Sequence, residues 1–232
     1  AAGARPIGRD AVRNARVCVV VGGKRYGKGS SREHSVVAER AAGVRLVVAE
    51  SFERIYRQNA DNVGLCTSTD VGLIDRIARG EAIDLDELAQ GRDAVAAAIL
   101  RAGGLLRYGR TMPAADEAAR DVDVTASSRP RTLFEKIVER HLDRPLEPGE
   151  GAFIRTDWRF IHEYYTGMAA HLLDDAFADA LALHDPSTIV AFEDHLSYVH
   201  RSPAHVAQGL IGGVQGLSRA HRAFVARHGL RH

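Results

Sequence analysis

Gly27-Lys28-Gly29-Ser30-Ser31-Arg32-Glu33-His34 sets two hydroxyls and a guanidinium between flexible glycines and a helical pattern. The apolar run Val17-Cys18-Val19-Val20-Val21 precedes it, so the octet falls where a strand ends and a helix begins. Backbone N–H groups are unpaired at a helix N-terminus and the helix dipole is positive there, which favours an anion. Arg32 adds a planar fork suited to a carboxylate or phosphate. These residues predict an anion site. The same stretch also reads as a glycine-rich turn with a capping serine and no ligand. Gly22 to Lys28 follows most of a phosphate-loop pattern, but Gly29 stands where the magnesium-binding hydroxyl belongs and Ser30 comes one residue late.

The elements that would position this octet are legible around it. Ser30 and Glu33 have capping-box spacing, and Gly43 reads as the glycine that closes the helix. Val44-Arg45-Leu46-Val47-Val48-Ala49 is a β-branched apolar run, hence a buried strand, and strand–helix–strand is a right-handed βαβ unit. Ser51-Phe52-Glu53-Arg54 is a second strand end feeding a second helix, with Ser51 as its expected N-cap and Arg54 in its first turn. Ligands of open α/β sheets bind outside the carboxyl ends of strands, and both hydroxyl–arginine pairs fall there.

With 232 residues, the chain has room for one or two domains. Hydrophobic residues make up 45% and charged ones 26%, as in a soluble globular protein. A formal charge of +1 gives no electrostatic case for nucleic acid or an anionic membrane as partner. No apolar run approaches the ~20 residues of a membrane-spanning helix, the start lacks the core of a signal peptide, and two cysteines imply no disulfide framework. A cytoplasmic protein is expected. Of 11 histidines only His34 precedes residue 130, so the two parts of the chain serve different work; His221 and His228 read as plain helix-face residues.

The organisation expected is a first domain over 1–108, a linker over 109–131 and a second domain over 132–232. Asp93 to Leu100 reads as a helix stopped by Gly103-Gly104. Pro113 and Ser127-Ser128-Arg129-Pro130 have linker composition. Thr132 and Glu135 repeat the capping-box spacing, ahead of an apolar face of Leu133, Phe134, Ile137 and Val138. Ala152 to Thr156 reads as a strand, and Met168 to Leu181 as an amphipathic helix whose apolar pairs recur every four residues. Thr188 to Phe192 is a short buried strand, followed by Asp194-His195. A last helix starts at Ser202-Pro203 and carries Gly209, Gly212, Gly213 and Gly216, so it either packs very closely or breaks near Gly212. An Asp–His dipeptide after a strand is by itself most simply a turn cap, and Cys18, in a strand run, a core thiol.

Tyr26 to Leu65 closely resembles the swivel domain of the aconitase superfamily, in which we include the small subunit of 3-isopropylmalate dehydratase. The octet carries the resemblance, with Gly43-Val44-Arg45, Ala49-Glu50-Ser51-Phe52-Glu53-Arg54-Ile55 and Asn59-Ala60-Asp61-Asn62-Val63-Gly64-Leu65. Ala97 to Leu106 resembles the end of that small subunit, and Thr132 to Ala207 the start of the large catalytic subunit. The fold implied is α/β: a swivel-type domain with a mainly parallel sheet flanked by helices, plus a partial aconitase-like α/β domain. The reaction implied is removal of water from a 2-hydroxy di- or tricarboxylate and its return at the neighbouring carbon. By that resemblance Ser30 matches the serine that abstracts the carbon-bound proton. Ser31, Arg32 and Arg54 match groups that hold substrate carboxylates. Asp194 and His195 match the pair that helps the hydroxyl depart. His162 stands where aconitases carry a glutamine and the isopropylmalate enzymes a histidine.

The resemblance also implies a 4Fe-4S cluster held by three cysteines, whereas this chain has only Cys18 and Cys66. The expected partner is therefore a cluster-bearing polypeptide or a missing remainder, with a hydroxy-carboxylate as substrate. The alternative is a non-enzymatic carboxylate-binding or regulatory module derived from the same fold.

Overall fold

The computed structural model describes residues 8–29, 31–111, 130–142, 146–197, 202–209 and 213–232. The chain divides into two compact units, Ala1–Arg131 with Asp143–Phe153, and Thr132–Leu142 with Ile154–His232.

In the first unit a short helix α1 (Ala11–Asn14) leads to three parallel strands standing side by side in chain order, β1 (Val19–Gly22), β2 (Leu46–Ala49) and β3 (Cys66–Ser68). Parallel neighbours need long crossovers, and helices α2 (His34–Ala41) and α3 (Arg54–Val63) supply them. All four residues of β2 are buried. Val47 packs with Val36, Val44, Tyr56, Ala60 and Leu65 among α2 and α3. Leu46 and Val48 pack with Leu73 of helix α4 (Gly72–Ala78). Alternate residues of one strand thus serve two cores, which is why β2 is apolar without interruption. Helices α5 (Leu85–Ala89), α6 (Ala94–Arg101) and α7 (Leu105–Thr111) complete the unit. Asp93 caps α6 by accepting the N–H groups of Val95 and Ala96, each at 3.0 Å. A buried fork joins two of these elements: Arg92 Nε and Nη2 donate to Asp61 at 2.9 and 2.8 Å, and Nη2 also donates to Thr67 Oγ1 at 2.9 Å. This is the parallel, helix-flanked α/β unit expected.

The second unit begins with helix α8 (Leu133–Glu139) and the capping box read from sequence: Glu135 N–H donates to Thr132 Oγ1 at 3.2 Å, and Thr132 N–H to Glu135 Oε2 at 2.7 Å. The apolar face expected on this helix is not core: Leu133, Phe134 and Ile137 are exposed, and only Val138 of that face is buried. Strands β4 (Arg159–His162) and β5 (Ile189–Phe192) run parallel, with helix α9 (Glu163–Phe177) as their crossover; helices α10 (Pro203–Ala207) and α11 (Val214–His228) follow. Ile189, Phe224 and Leu230 form the core of this layer, with Leu173 and Val225 packed against them.

Several local expectations are corrected. Ala152 to Thr156 is irregular, because a strand needs a ladder partner and none of these residues has one among the described residues. The helix expected over Met168–Leu181 begins earlier, at Glu163, and ends at Phe177 in a 3₁₀ turn over Ala178–Ala180. The last helical stretch is two helices, and Gly213 caps the second one in a left-handed conformation, φ +76°. Gly212 lies outside the described residues, as does most of the stretch expected to be a linker. Cys18 is exposed rather than a core thiol. His221 is fully buried rather than a plain helix-face residue.

Candidate functional site

In the first unit, the loops leaving β1 and β2 are joined backbone to backbone. Tyr26 N–H donates to Ser51 O at 2.9 Å and Glu53 N–H to Tyr26 O at 2.8 Å, a parallel bridge between Tyr26 and Phe52. Side chains reinforce it: Arg25 N–H donates to Ser51 Oγ at 2.8 Å, and Arg25 Nε to Glu53 Oε1 at 2.6 Å. Ser51 is therefore spent on the loop and does not cap α3; Glu53 stands at that N-cap, and Glu33 at the N-cap of α2. Neither glutamate makes a side-chain cap hydrogen bond, and the Ser30 half of the expected Ser30–Glu33 capping box lies outside the described residues. Two acidic side chains already sit at the positive ends of these helices. An anion on this edge would therefore rely on the guanidinium groups and loop N–H groups more than on the dipoles.

Behind the loop lies an aromatic brace. Tyr26 donates to Glu39 Oε1 at 2.8 Å, and Tyr56 donates to Glu39 Oε2. Tyr26 meets Phe52 and Tyr56 edge-on, with ring centroids 6.0 and 5.3 Å apart. Burial first, then the bond to Glu39, pushes both phenols well above the ordinary tyrosine range. Gly27 lies against this brace with φ +81°, in space that a side chain cannot share with Tyr56.

Of the residues expected to act here, Ser31 and Arg32 lie after β1 and Arg54 opens α3 after β2, so all three belong to the carboxyl edge of the sheet. Ser31 is tied to α3 through its carbonyl, which accepts Asn59 Nδ2 at 3.2 Å. Arg32 is half-buried and Arg54 exposed. Ser30 lies outside the described residues. A phosphate loop would run directly into its helix after Gly-Lys, but α2 starts only at His34 and Tyr26 is held in the bridge to Phe52.

In the second unit, β4 and β5 deliver the remaining candidates to their carboxyl ends. His162 closes β4, and Asp194-His195 follow β5. Asp194 Oδ1 lies 2.5 Å from His195 Nδ1, and the His162 and His195 rings stack with centroids 4.1 Å apart and planes 10° apart. The His195 contact, above all, holds the Asp194 carboxyl below the ordinary aspartate range. With Nδ1 engaged by Asp194, the other ring nitrogen of His195 is Nε2. Both residues are about half exposed, so a substrate can reach them.

Sequence reasoning missed what holds this pair in place. Glu163, the first residue of α9, is fully buried and accepts Asp194 N–H at 3.2 Å and Leu196 N–H at 2.5 Å. Thr166 Oγ1 donates to His162 O at 3.0 Å and lies 2.7 Å from His221 Nδ1. Its one hydroxyl proton being spent on the carbonyl, Thr166 accepts from His221, which fixes the Nδ1–H tautomer. Burial, chiefly, pushes the His221 imidazole below the ordinary histidine range. Arg222 forks onto Glu193 at 2.7 and 3.0 Å. Helix α11 therefore braces the ends of both strands. Acid at the residue after His162 was the visible sign of Glu163; nothing local signalled His221.

Ligand atoms of His162, Glu163, Asp194 and His195 lie within 4.8 Å of one another. Both Glu163 oxygens already accept backbone N–H groups and Asp194 is engaged by His195, so three of the four side chains are tied into hydrogen bonds with the protein. The cysteines do not fit an iron–sulfur cluster. Cys18 precedes β1 and Cys66 opens β3, with β2 between them, at the sheet edge opposite Ser31, Arg32 and Arg54. Burial, foremost, pushes the Cys66 thiol up, away from the thiolate a cluster needs.

Comparison with known proteins agrees with this first unit. The family model of the aconitase C-terminal domain matches residues 10–69. The 3-isopropylmalate dehydratase small subunit of Pyrobaculum calidifontis is 37% identical over 117 residues, 44% of this chain and 73% of that protein. The isopropylmalate/citramalate isomerase small subunit of Methanocaldococcus jannaschii is 36% identical over 104 residues, 39% of this chain and 62% of that protein. A crystal structure of 3-isopropylmalate dehydratase from the same organism is 33% identical, covers 40% of this chain and 62% of that one, and gives a TM-score of 0.31. The chain belongs to the aconitase superfamily. Within it, the relatives that it matches are small subunits of 3-isopropylmalate dehydratase and of isopropylmalate/citramalate isomerase.

Proposed function

We propose that this chain works in an aconitase-type hydro-lyase that removes water from a 2-hydroxy di- or tricarboxylate and adds it back at the neighbouring carbon, and that it supplies part of the active site. The observation that carries this is the joined pair of loops at the carboxyl edge of β1 and β2. It lies within the residues that the family model matches and gathers Ser31, Arg32 and Arg54 on one edge. Arg32 and Arg54 hold substrate carboxylates, with Ser31 and His162 as further polar contacts. Ser30 takes the carbon-bound proton, and its alkoxide requires the neighbouring guanidinium and backbone N–H groups for stabilisation. The departing hydroxyl receives its proton from His195 Nε2 and leaves as water, while Asp194 on Nδ1 stabilises the imidazolium before the transfer. Return of water runs these transfers in reverse.

Residues 1–108 serve as the swivel domain and 132–232 as the opening of the catalytic domain, joined by 109–131. The Asp194–His195 pair at the end of a parallel strand supports the second assignment. The 4Fe-4S cluster of the family resides on a partner polypeptide or a remainder of this one; the names of the relatives, small subunits, support a larger partner. The free thiols of Cys18 and Cys66 support a cytoplasmic, reducing location. No helix among the described residues is long and apolar enough to cross a membrane. A second reading, a carboxylate-binding module without catalysis, is favoured by the misplaced thiols alone.

Anaerobic purification of the native protein from its source, with intact mass, iron content and a hydration assay on unsaturated di- and tricarboxylates, separates the two. A cysteine-bearing partner or remainder with iron and turnover is the expected result. A lone chain that binds hydroxy-acids without iron or turnover overturns the hydro-lyase and leaves the binding module.

A further inference from the structure

Glu163 is a carboxyl group with no access to water, in a place where an apolar side chain would be cheaper to bury. Both of its oxygens accept backbone N–H groups, from Asp194 and Leu196, on the two sides of His195. One side chain thus brackets the segment that leaves β5. Ser197 Oγ also donates to Asp194 O at 3.2 Å, from an exposed position. The Asp194 and His195 side chains are each about half exposed.

We propose that Glu163 is the positioning residue for the proton-donating step, holding the 194–196 backbone so that Asp194 stays on His195 Nδ1 and His195 stays stacked on His162. This rests on the hydro-lyase reading for its catalytic meaning, but the bracket itself does not. Because hydrogen-bond geometry at a proton donor must hold to well under 1 Å, a support of this kind acts on turnover more than on substrate affinity.

The charged and titratable groups around Asp194 are His195 beside it, His162 on β4 with Nδ1 at 3.9 Å, Glu163 on α9, the Glu193–Arg222 pair between β5 and α11, and His221 on α11 with His232 near its ring. They give the test a sign. Removing the negative charge of Glu163 by itself would lower the Asp194 carboxyl further, since a like charge would be gone. Losing the bracket would loosen the His195 contact and move Asp194 up, toward an ordinary aspartate.

The experiment is a carbon-13 carboxyl titration of Asp194 in the full chain, assigned with Asp194→Asn, in Glu163→Gln, in Glu163→Asp and in the packing control Val225→Ala. Glu163→Asp keeps the charge and is one methylene too short to reach both N–H groups. The proposal expects Asp194 to move up in both Glu163 variants and to stay put in Val225→Ala. An unchanged or lowered Asp194 in folded Glu163→Gln overturns it. In the unaltered chain, couplings across the hydrogen bonds from the Asp194 and Leu196 N–H groups to the Glu163 carboxyl carbon are expected, and their absence overturns it without any variant. With the copurified partner, Glu163→Gln should lower kcat by about 10- to 100-fold and leave KM within about twofold. A normal kcat removes the catalytic meaning. No turnover in the unaltered complex overturns the hydro-lyase reading instead, and the titration still decides the bracket.

Discussion

Gly27→Ala puts the loop brace under a defined load. Gly27 has φ +81°, and an added Cβ would come within 2.1 Å of Tyr56 Cγ and 2.3 Å of Tyr56 Cβ. Tyr56 cannot step aside cheaply: it is 3% exposed, bonded to Glu39 and stacked on Phe52 at 6.1 Å. Alanine in the left-handed region costs about 1–2 kcal/mol. Overpacking against Tyr56 adds about 1–3 kcal/mol, and loosening the Tyr56–Glu39 bond adds roughly 1.5 kcal/mol. The sum is about 3.5–6.5 kcal/mol, a large share of the roughly 5–15 kcal/mol that holds a domain together. Gly29→Ala is the matched control, because Gly29 also has positive φ, +145°, but an added Cβ there meets nothing within 4 Å. It should cost only the backbone part, about 1–3 kcal/mol. Urea unfolding followed by circular dichroism measures both. If Gly27→Ala costs no more than Gly29→Ala, Tyr56 does not wall in the loop and the brace is not what shapes the candidate site.

Arg32→Lys should weaken substrate binding severely, since a point charge replaces a bidentate fork; near-normal affinity by calorimetry or KM would remove Arg32 from carboxylate binding. Ser30→Ala should abolish turnover while leaving binding nearly intact, and a variant that still turns over removes Ser30 as the base. Asp61→Ala leaves the Arg92 guanidinium, 4% exposed, without its carboxylate and should cost about 3–5 kcal/mol by thermal or urea unfolding; a loss under about 1 kcal/mol would mean that water reaches Arg92. Tyr26 and Tyr56, raised in the folded state, contribute stability that is fully present below the ordinary phenol value near 10 and is lost as pH rises above it toward their folded values. Ultraviolet titration should therefore show two tyrosines ionising late, together with unfolding, and early ionisation of all six would refute the Glu39 brace.

Local chemistry made much of this protein legible in one dimension. The β-branched run at Leu46–Ala49 could be only a strand buried on both faces, and it is the centre of the sheet. Thr132 and Glu135 form their capping box because both partners lie within one turn. Asp194 and His195 are chain neighbours, so their contact needed no long-range information. Grouping Ser31, Arg32 and Arg54 on one edge followed from strand-to-helix order alone, since parallel strands put all such junctions at the same end.

Other features depended on residues far apart in sequence. Ser51 looked like a cap, but the bridge to Tyr26 claimed it, and local propensity carries no trace of a partner that lies 25 or more residues away. The Glu39 brace joins three elements. His221 had the pattern of an exposed helix face and was buried by Thr166, 55 residues earlier. Glu163 reads as an ordinary first-turn acid until β5 brings two amides to it. Sequence by itself determined which residue types stand at each strand end, because spacing along one element sets that. Tertiary structure alone decided which polar groups are spent on holding the loops and which stay available for chemistry, because a hydrogen-bond donor or acceptor is committed by whatever the fold brings within about 3 Å of it.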